Sequence, residues 1–397
     1  MNIIWTLLLL ALGTGSGAAP QEQAAGNEAV QANTMWTSVA HTFKVNLAEG
    51  RLDNPIKPSD LKVDPQVDAP KVKGIYVTAY SAGGSRMDQL VDLVDQTELN
   101  AMVIDIKDDL GYITYKTDNS DLIKWGKPQP FIRDIDALMA RLQKHDIYPI
   151  ARIVVFKDTI LAKKHPELSF RHKDGSVWSN GKGDSFVNPY NKEVWDYNIE
   201  IAKEAAKLGF KEIQFDYVRF PEGFEKRADS LIYTKNEMSR VDAVSSFVKY
   251  AKEQLEPLGV RVSVDIFGYA ASVPAAEGIG QDFVKISDNV DVISPMIYPS
   301  HYTTGWFNAK DPDKAPYQTI KGAVKDTQTK LAELGEKQPI IRPWIQDFTA
   351  SWLGSGHYIK YGKHEVEEQI RALKEMKVDE FLLWNASNRY TSGVDYE

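Results

Sequence analysis

The run Ile213-Gln214-Phe215-Asp216-Tyr217-Val218-Arg219-Phe220-Pro221-Glu222-Gly223 alternates apolar and polar residues up to a carboxylate, with an arginine and two aromatic rings close behind. Side chains in a strand alternate faces, so Ile213 and Phe215 share one side while Gln214 and Asp216 share the other. The same count turns Val103, Asp105 and Lys107 one way against Met102, Ile104 and Ile106, and Ser263 and Asp265 one way against Val262, Val264 and Ile266. It also places Arg152, and Arg342 with Trp344 and Gln346, on that side. Strands buried on both faces should be nearly all apolar, so polar residues sharing one phase in several strands mark a common site. Two carboxyls can cleave a glycosidic bond, one protonating the leaving oxygen and the other acting as nucleophile or activating water. Asp216 is the first candidate for nucleophile or base, with Arg219 as the cation that keeps it ionised. Asp265, then Glu222, then Asp105 are the candidates for the acid. Spacing along the chain leaves retaining and inverting geometries open.

Sugar rings offer apolar C–H faces to aromatic side chains and hydroxyls to polar ones. Tyr80, Tyr112, Tyr217, Tyr298, Trp344 and Trp384 fall at or just beyond the ends of apolar runs, and Trp178, Trp306 and Trp352 fall in the stretches between them. The expected substrate contacts are Tyr80, Lys107, Arg152, Trp178, Tyr217, Arg219, Tyr298, His301, Trp344 and Trp384. The segment 170–178 has Asp174-Gly175 at a hairpin turn. It is expected to wall one side of a groove and present Trp178 to the ligand.

Bringing these residues together requires a parallel sheet. Strands are predicted over 74–80, 101–106, 148–156, 212–215, 260–266, 290–296, 340–345 and 381–384. Helices fall between them: one capped by Ser85, one over 131–145, one from Asn191 to a stop at Gly209, and one carrying Val241 to Leu255 and halted by Pro257. Further helical segments lie near 281–287, 320–334 and 366–376. Eight strands alternating with helices predict an α/β fold, a (β/α)8 TIM barrel, whose chemistry belongs at the C-terminal strand ends. Thirteen residues follow Trp384, so the eighth helix is expected to be missing or replaced by the N-terminal arm or the C-terminal tail. An open doubly wound sheet is the second choice, weakened by the lack of a glycine-rich nucleotide loop after the first strand.

A net charge of −8 lacks the basic face of a nucleic-acid binder. Zero cysteines exclude disulfides, thiol nucleophiles and cysteine-ligated metals. The acidic run 105–109 invites a hard cation, but Lys107 in its middle disfavours one, and no serine-hydrolase elbow occurs. No metal and no cofactor are expected. The apolar run 2–12, followed by small residues up to Pro20, reads as a signal peptide over 1–19 and is too short to span a bilayer. Residues 20–70 read as a linker and an irregular, proline-dotted arm, and 71–397 as the barrel. The mature protein is expected to be a secreted or envelope-associated monomer with no transmembrane span.

Five segments carry a family likeness: Lys73-Gly74-Ile75-Tyr76-Val77-Thr78, Val103-Ile104-Asp105-Ile106-Lys107-Asp108-Asp109-Leu110-Gly111, Asn188-Pro189-Tyr190, Phe215-Asp216-Tyr217-Val218-Arg219-Phe220-Pro221 and Ser294-Pro295-Met296-Ile297-Tyr298-Pro299-Ser300-His301-Tyr302. With them the chain from Lys73 to Ser387 resembles the bacterial TIM-barrel family described as "Putative glycosyl hydrolase domain". The resemblance implies a glycoside hydrolase-like barrel on an exported or envelope protein and no particular substrate; the substrate expected here is a bacterial polysaccharide or a cell-wall or envelope glycan. A more distant similarity is to chitinase-type barrels, whose fourth strand ends in Asp-x-Asp-x-Glu followed by aromatic-Pro. Asp216 is similar to the last Asp of that motif and Phe220-Pro221 to its tail, while Val218 and Arg219 stand where the acid Glu belongs. That departure keeps open a non-catalytic glycan-binding barrel, and a polysaccharide esterase or deacetylase is the further alternative.

Overall fold

The computed structural model describes residues 69–397. The expected signal peptide over 1–19 and nearly all of the expected arm therefore lie outside the described residues. The described residues form eleven strands: β1 (Lys73–Val77), β2 (Ala101–Lys107), β3 (Tyr112–Tyr115), β4 (Lys127–Ile132), β5 (Tyr148–Val154), β6 (Glu212–Asp216), β7 (Arg261–Phe267), β8 (Val292–Met296), β9 (Ile340–Ile341), β10 (Trp344–Gln346) and β11 (Phe381–Trp384). Pairing runs β1-β2-β5-β6-β7-β8-β10-β11 and returns from β11 to β1, so the parallel sheet closes into an eight-stave barrel. The seventh stave is split into β9 and β10 around Pro343, which has no N–H to give to a ladder.

Helices cover the outside: α1 (Ala79–Ala82), α2 (Arg86–Asp95), α3 (Ser120–Trp125), α4 (Ile135–Lys144), α5 (Thr159–Lys164), α6 (Lys192–Leu208), α7 (Arg240–Leu255), α8 (Phe283–Ser287), α9 (Pro316–Leu331) and α10 (Lys363–Glu375). Gly209 ends α6 at φ 105°, a left-handed stop that costs glycine little. The helix expected over 131–145 starts at Ile135, because the Asp134 side chain accepts from the Ala137 N–H and caps it there. No described helix is long and apolar enough to cross a membrane.

Outward-facing Ile75, Met102, Ile104, Ile213, Phe215 and Val264 pack against the helices. Inward-facing Val72, Val103, Tyr148, Ile150 and Leu382 fill the barrel. At its N-terminal end Arg342 binds Glu212 and Glu380, each at 2.7 Å, and all three residues are buried.

Two features depart from simple alternation. The β2–β5 register runs Asp105↔Arg152 and then Lys107↔Ile153, a bulge at Ile106. One extra residue reverses the phase of the positions beyond it, so Lys107 turns away from the barrel axis. The chain then adds β3, antiparallel to β2, and β4, parallel to β3, as an insertion beside the barrel. After β11, the described residues form no further helix. The C-terminal tail instead buries Val394 and Tyr396 near Leu373 of α10 and Phe381 of β11, and Lys73 Nζ donates to the Tyr396 carbonyl at 2.6 Å.

Candidate active site

The C-terminal ends of the staves gather one polar group from each of several strands. The β6–β7 pairing runs from Glu212↔Arg261 to Phe215↔Val264. Continued by one position it sets Asp216 beside Asp265, with backbones about 4.8 Å apart. Arg152 comes from β5, opposite Asp105 of β2 and Gln214 of β6. Its guanidinium donates to Asp216 Oδ2 from Nε at 3.1 Å and Nη2 at 2.6 Å, to Asp105 Oδ1 from Nη1 at 2.7 Å, and to Asp109 Oδ1 from Nη2 at 2.9 Å. Burial works against its charge, but the three carboxylates outweigh it and raise Arg152 well above the ordinary arginine value. The acidic run therefore surrounds a built-in organic cation.

Asp216 Oδ1 accepts from the Tyr217 N–H at 2.6 Å. With Arg152 on Oδ2, the group accepts on both oxygens, the pattern of a carboxylate rather than an acid. Tyr217 sits at φ 51°, a left-handed conformation rare for a bulky residue and concentrated at functional turns.

Asp265 has different surroundings. It is 2% exposed, and Trp344 Nε1 donates to its Oδ1 at 2.7 Å. Burial first, then the Asp216 charge, pushes its pKa well above the carboxylate range, with the Trp344 bond and Arg152 opposing. A carboxyl pushed toward its protonated form thus stands beside one that accepts on both oxygens, an asymmetry of the kind found in acid and base pairs. Asp109 is pushed up by burial, but Arg152 and Lys157 outweigh that and bring it to about 2. Asp105 lies one layer lower. Arg152 and the Tyr76 hydroxyl, at 2.6 Å, occupy its two oxygens, and burial raises it to about 6 against the pull of Arg152.

Asp216, Asp265, Asp109 and Arg152 border a cavity of about 230 Å³, and Asp105, a candidate acid, is not part of its lining. Of the expected site residues, Asp216, Asp265, Arg152, Tyr217, Arg219, Tyr298, His301, Trp344 and Trp384 line it. Asp109, Phe267 and Met296 complete the lining and were not anticipated. The last two were within reach of the same alternation, two positions past Asp265 and Ser294 in the same phase. Asp109 lies beyond the bulge, where that count no longer applies.

The remaining candidates sit elsewhere. Lys107 is fully buried outside the barrel, donating to Val154 O at 2.8 Å and Asn198 Oδ1 at 3.0 Å and paired with Asp158 at 2.7 Å. Glu222 stands in solvent, its side chain 72% exposed, paired with Arg219 at 3.2 Å. Arg219 is not the cation on Asp216. Its guanidinium reaches Glu222 and Phe220 O and lies 4.9 and 4.6 Å from the rings of Tyr217 and Phe267. The 170–178 hairpin forms, with Arg171 bridging Val177, but Trp178 turns into the core near Phe186. Its apolar ring gains more from burial there than from facing water. Tyr80 is 65% exposed on α1, against Phe131 and outside the cavity lining.

No curated protein matches the chain. Among solved structures, a hypothetical protein from Ruminiclostridium thermocellum ATCC 27405 is 37% identical over 48% of this chain and 96% of its own, with a TM-score of 0.44. The glycoside hydrolase domain of PgaB (BpsB) from Bordetella bronchiseptica is 12% identical over 80% of this chain and 94% of its own, at a TM-score of 0.55. A beta-galactosidase from the psychrophilic Marinomonas ef1 is 13% identical over 79% and 53%, at 0.54. At such identities the last two establish the shared barrel alone. The family model described as "Putative glycosyl hydrolase domain" matches residues 74–390, and the chain belongs to that family.

Proposed function

We propose that the protein hydrolyses O-glycosidic bonds of a bacterial polysaccharide or cell-wall glycan, with Asp265 as the acid and Asp216 as the nucleophile. The observation that carries this reading is the pair of carboxyls at neighbouring strand ends, one acting as an acceptor on both oxygens and the other pushed toward its protonated form. Asp265 gives its proton to the glycosidic oxygen as the C1–O bond breaks. Asp216 attacks C1 and closes a glycosyl ester. Water then attacks C1 as the ester bond to Asp216 breaks, releasing Asp216 as a carboxylate, and Asp265, now a carboxylate, takes a proton from that water. A single inter-strand spacing between the two backbones favours this retaining course, which needs carboxyls about 5–5.5 Å apart, over the wider inverting pair. Arg152 orients Asp216 through Oδ2, and Tyr298 and Trp384 supply apolar faces for the sugar. The signal-like run over 2–12 supports export to where such glycans lie.

Incubation with a panel of bacterial exopolysaccharides and wall glycans, reading new reducing ends, tests the reading. Asp216→Asn and Asp265→Asn should each lower kcat by about 10²–10⁴-fold while glycan binding persists. Proton NMR of the first product should show the retained anomer. A glycan-binding barrel would yield no reducing ends with the wild type. An esterase or deacetylase would release acetate without shortening the chain.

A further inference from the structure

The aromatic lining continues past the cavity. Tyr298, on the lining, has its ring centroid 5.8 Å from Phe348, and Phe348 stacks on Trp352 at 5.7 Å with 23° between planes. In the other direction Tyr298 lies 6.5 Å from Trp384. Phe348 packs on the inner-barrel cluster, whereas Trp352 is 65% exposed. An indole left in water, with a second ring flat beneath it, is a large apolar surface withheld from the core. The loop that carries it is tied down by Lys314 Nζ on Gly356 O at 2.7 Å and by His357 Nδ1 on Asp311 Oδ1 at 2.8 Å. His301, exposed at 5.0 Å from the Tyr298 ring, adds a polar group along the same line. Exposed Tyr80 on half-buried Phe131 forms another ring pair, but its contacts lead to Tyr112 and not to the cavity.

We infer that Phe348 and Trp352 form a second sugar-binding platform, which takes a residue of the same glycan chain beyond those held at Asp216 and Asp265. The identity of the occupant rests on the glycosidase reading. Ring-to-ring continuity with the cavity selects a polymer whose successive sugars each present an apolar face, and not an isolated hydrophobe. The enzyme would then recognise chains in preference to disaccharides.

Calorimetric titration of the full-length chain carrying Asp216→Asn, to block turnover, tests this. The probes are hexasaccharides and matching disaccharides of β-1,4-linked glucose, β-1,4-linked N-acetylglucosamine and β-1,6-linked N-acetylglucosamine. At least one hexasaccharide should bind more tightly than its disaccharide. Adding Trp352→Ala should weaken that hexasaccharide by about tenfold, leave the disaccharide unchanged, and be largely rescued by Trp352→Phe. Hexasaccharide binding that ignores Trp352→Ala, or an equal loss for both lengths, overturns the platform and leaves the Asp216 and Asp265 reading standing. No binding of any hexasaccharide to either protein overturns both.

Discussion

Asp216 and Asp265 are the same residue type in opposite surroundings, and the difference traces to what adjacent strands present to each. β5 brings a guanidinium to Asp216, while Asp265 receives one neutral indole N–H and the field of its neighbour. A carboxyl raised in this way keeps its proton below its folded pKa and loses it as the pH rises through that value. kcat/KM should therefore fall on the alkaline side, at a midpoint above the ordinary carboxylate range. Because the Asp216 charge is one cause of the shift, Asp216→Asn should move the Asp265 titration to lower pH, read from its carboxyl ¹³C resonance. A midpoint that stays put or rises would remove Asp216 from the explanation. Alternation along the chain was enough to pick out Asp216, Asp265 and Arg152, since the period of two holds within a strand. It could not identify the cation on Asp216. Arg219 is three residues away along the chain but beyond the left-handed turn at Tyr217, whereas Arg152 is sixty-four positions distant and on the next strand.

At the level of elements, β2 has the largest consequence. Its bulge exchanges an expected cavity lysine for a buried ion pair between Lys107 and Asp158, the residue that also caps α5 by accepting from Leu161 N. Burial lowers Lys107 and raises Asp158, and each opposes the other's shift. Lys107→Met should cost about 3–5 kcal/mol at pH 7, because it leaves a carboxylate buried without its cation. Asp158 would then sit further above its unfolded value, so the loss should be full above its folded pKa and fade as the pH falls toward the unfolded one. K107M/D158N keeps the cap, removes the stranded charge, and should recover much of the stability in urea titrations. A double variant no better than the single would show that something other than the stranded charge causes the loss. None of this is legible in the sequence of β2, because a bulge depends on the register of the neighbouring strand. β3 and β4 escape detection for a related reason: they pair beside the barrel, and β4 carries Pro128 and Pro130 and leaves most of its side chains toward solvent, so it lacks the apolar run of a stave.

For the whole molecule, the eight-stave barrel could be read from the order of apolar runs, and its closure is seen in β1 pairing with both β2 and β11. What covers the last stave could only be narrowed to two options. The tail does so, through Tyr396, whose burial makes it part of the core. Tyr396→Ala should lower stability by about 3 kcal/mol, seen as a drop of several degrees in the thermal midpoint. Glycan binding at the opposite end should be unaffected. A melting curve that does not move would mean that the tail contributes no packing.

The charged layer of Glu212, Arg342 and Glu380 stops the barrel at its base. Above that layer Val103, Ile150 and Leu382 pack the interior and floor the cavity, which is therefore a cup and not a sleeve. On the proposed reading a glycan chain could not be fed through from one end to the other and would have to be laid across the rim or dipped in by its tip.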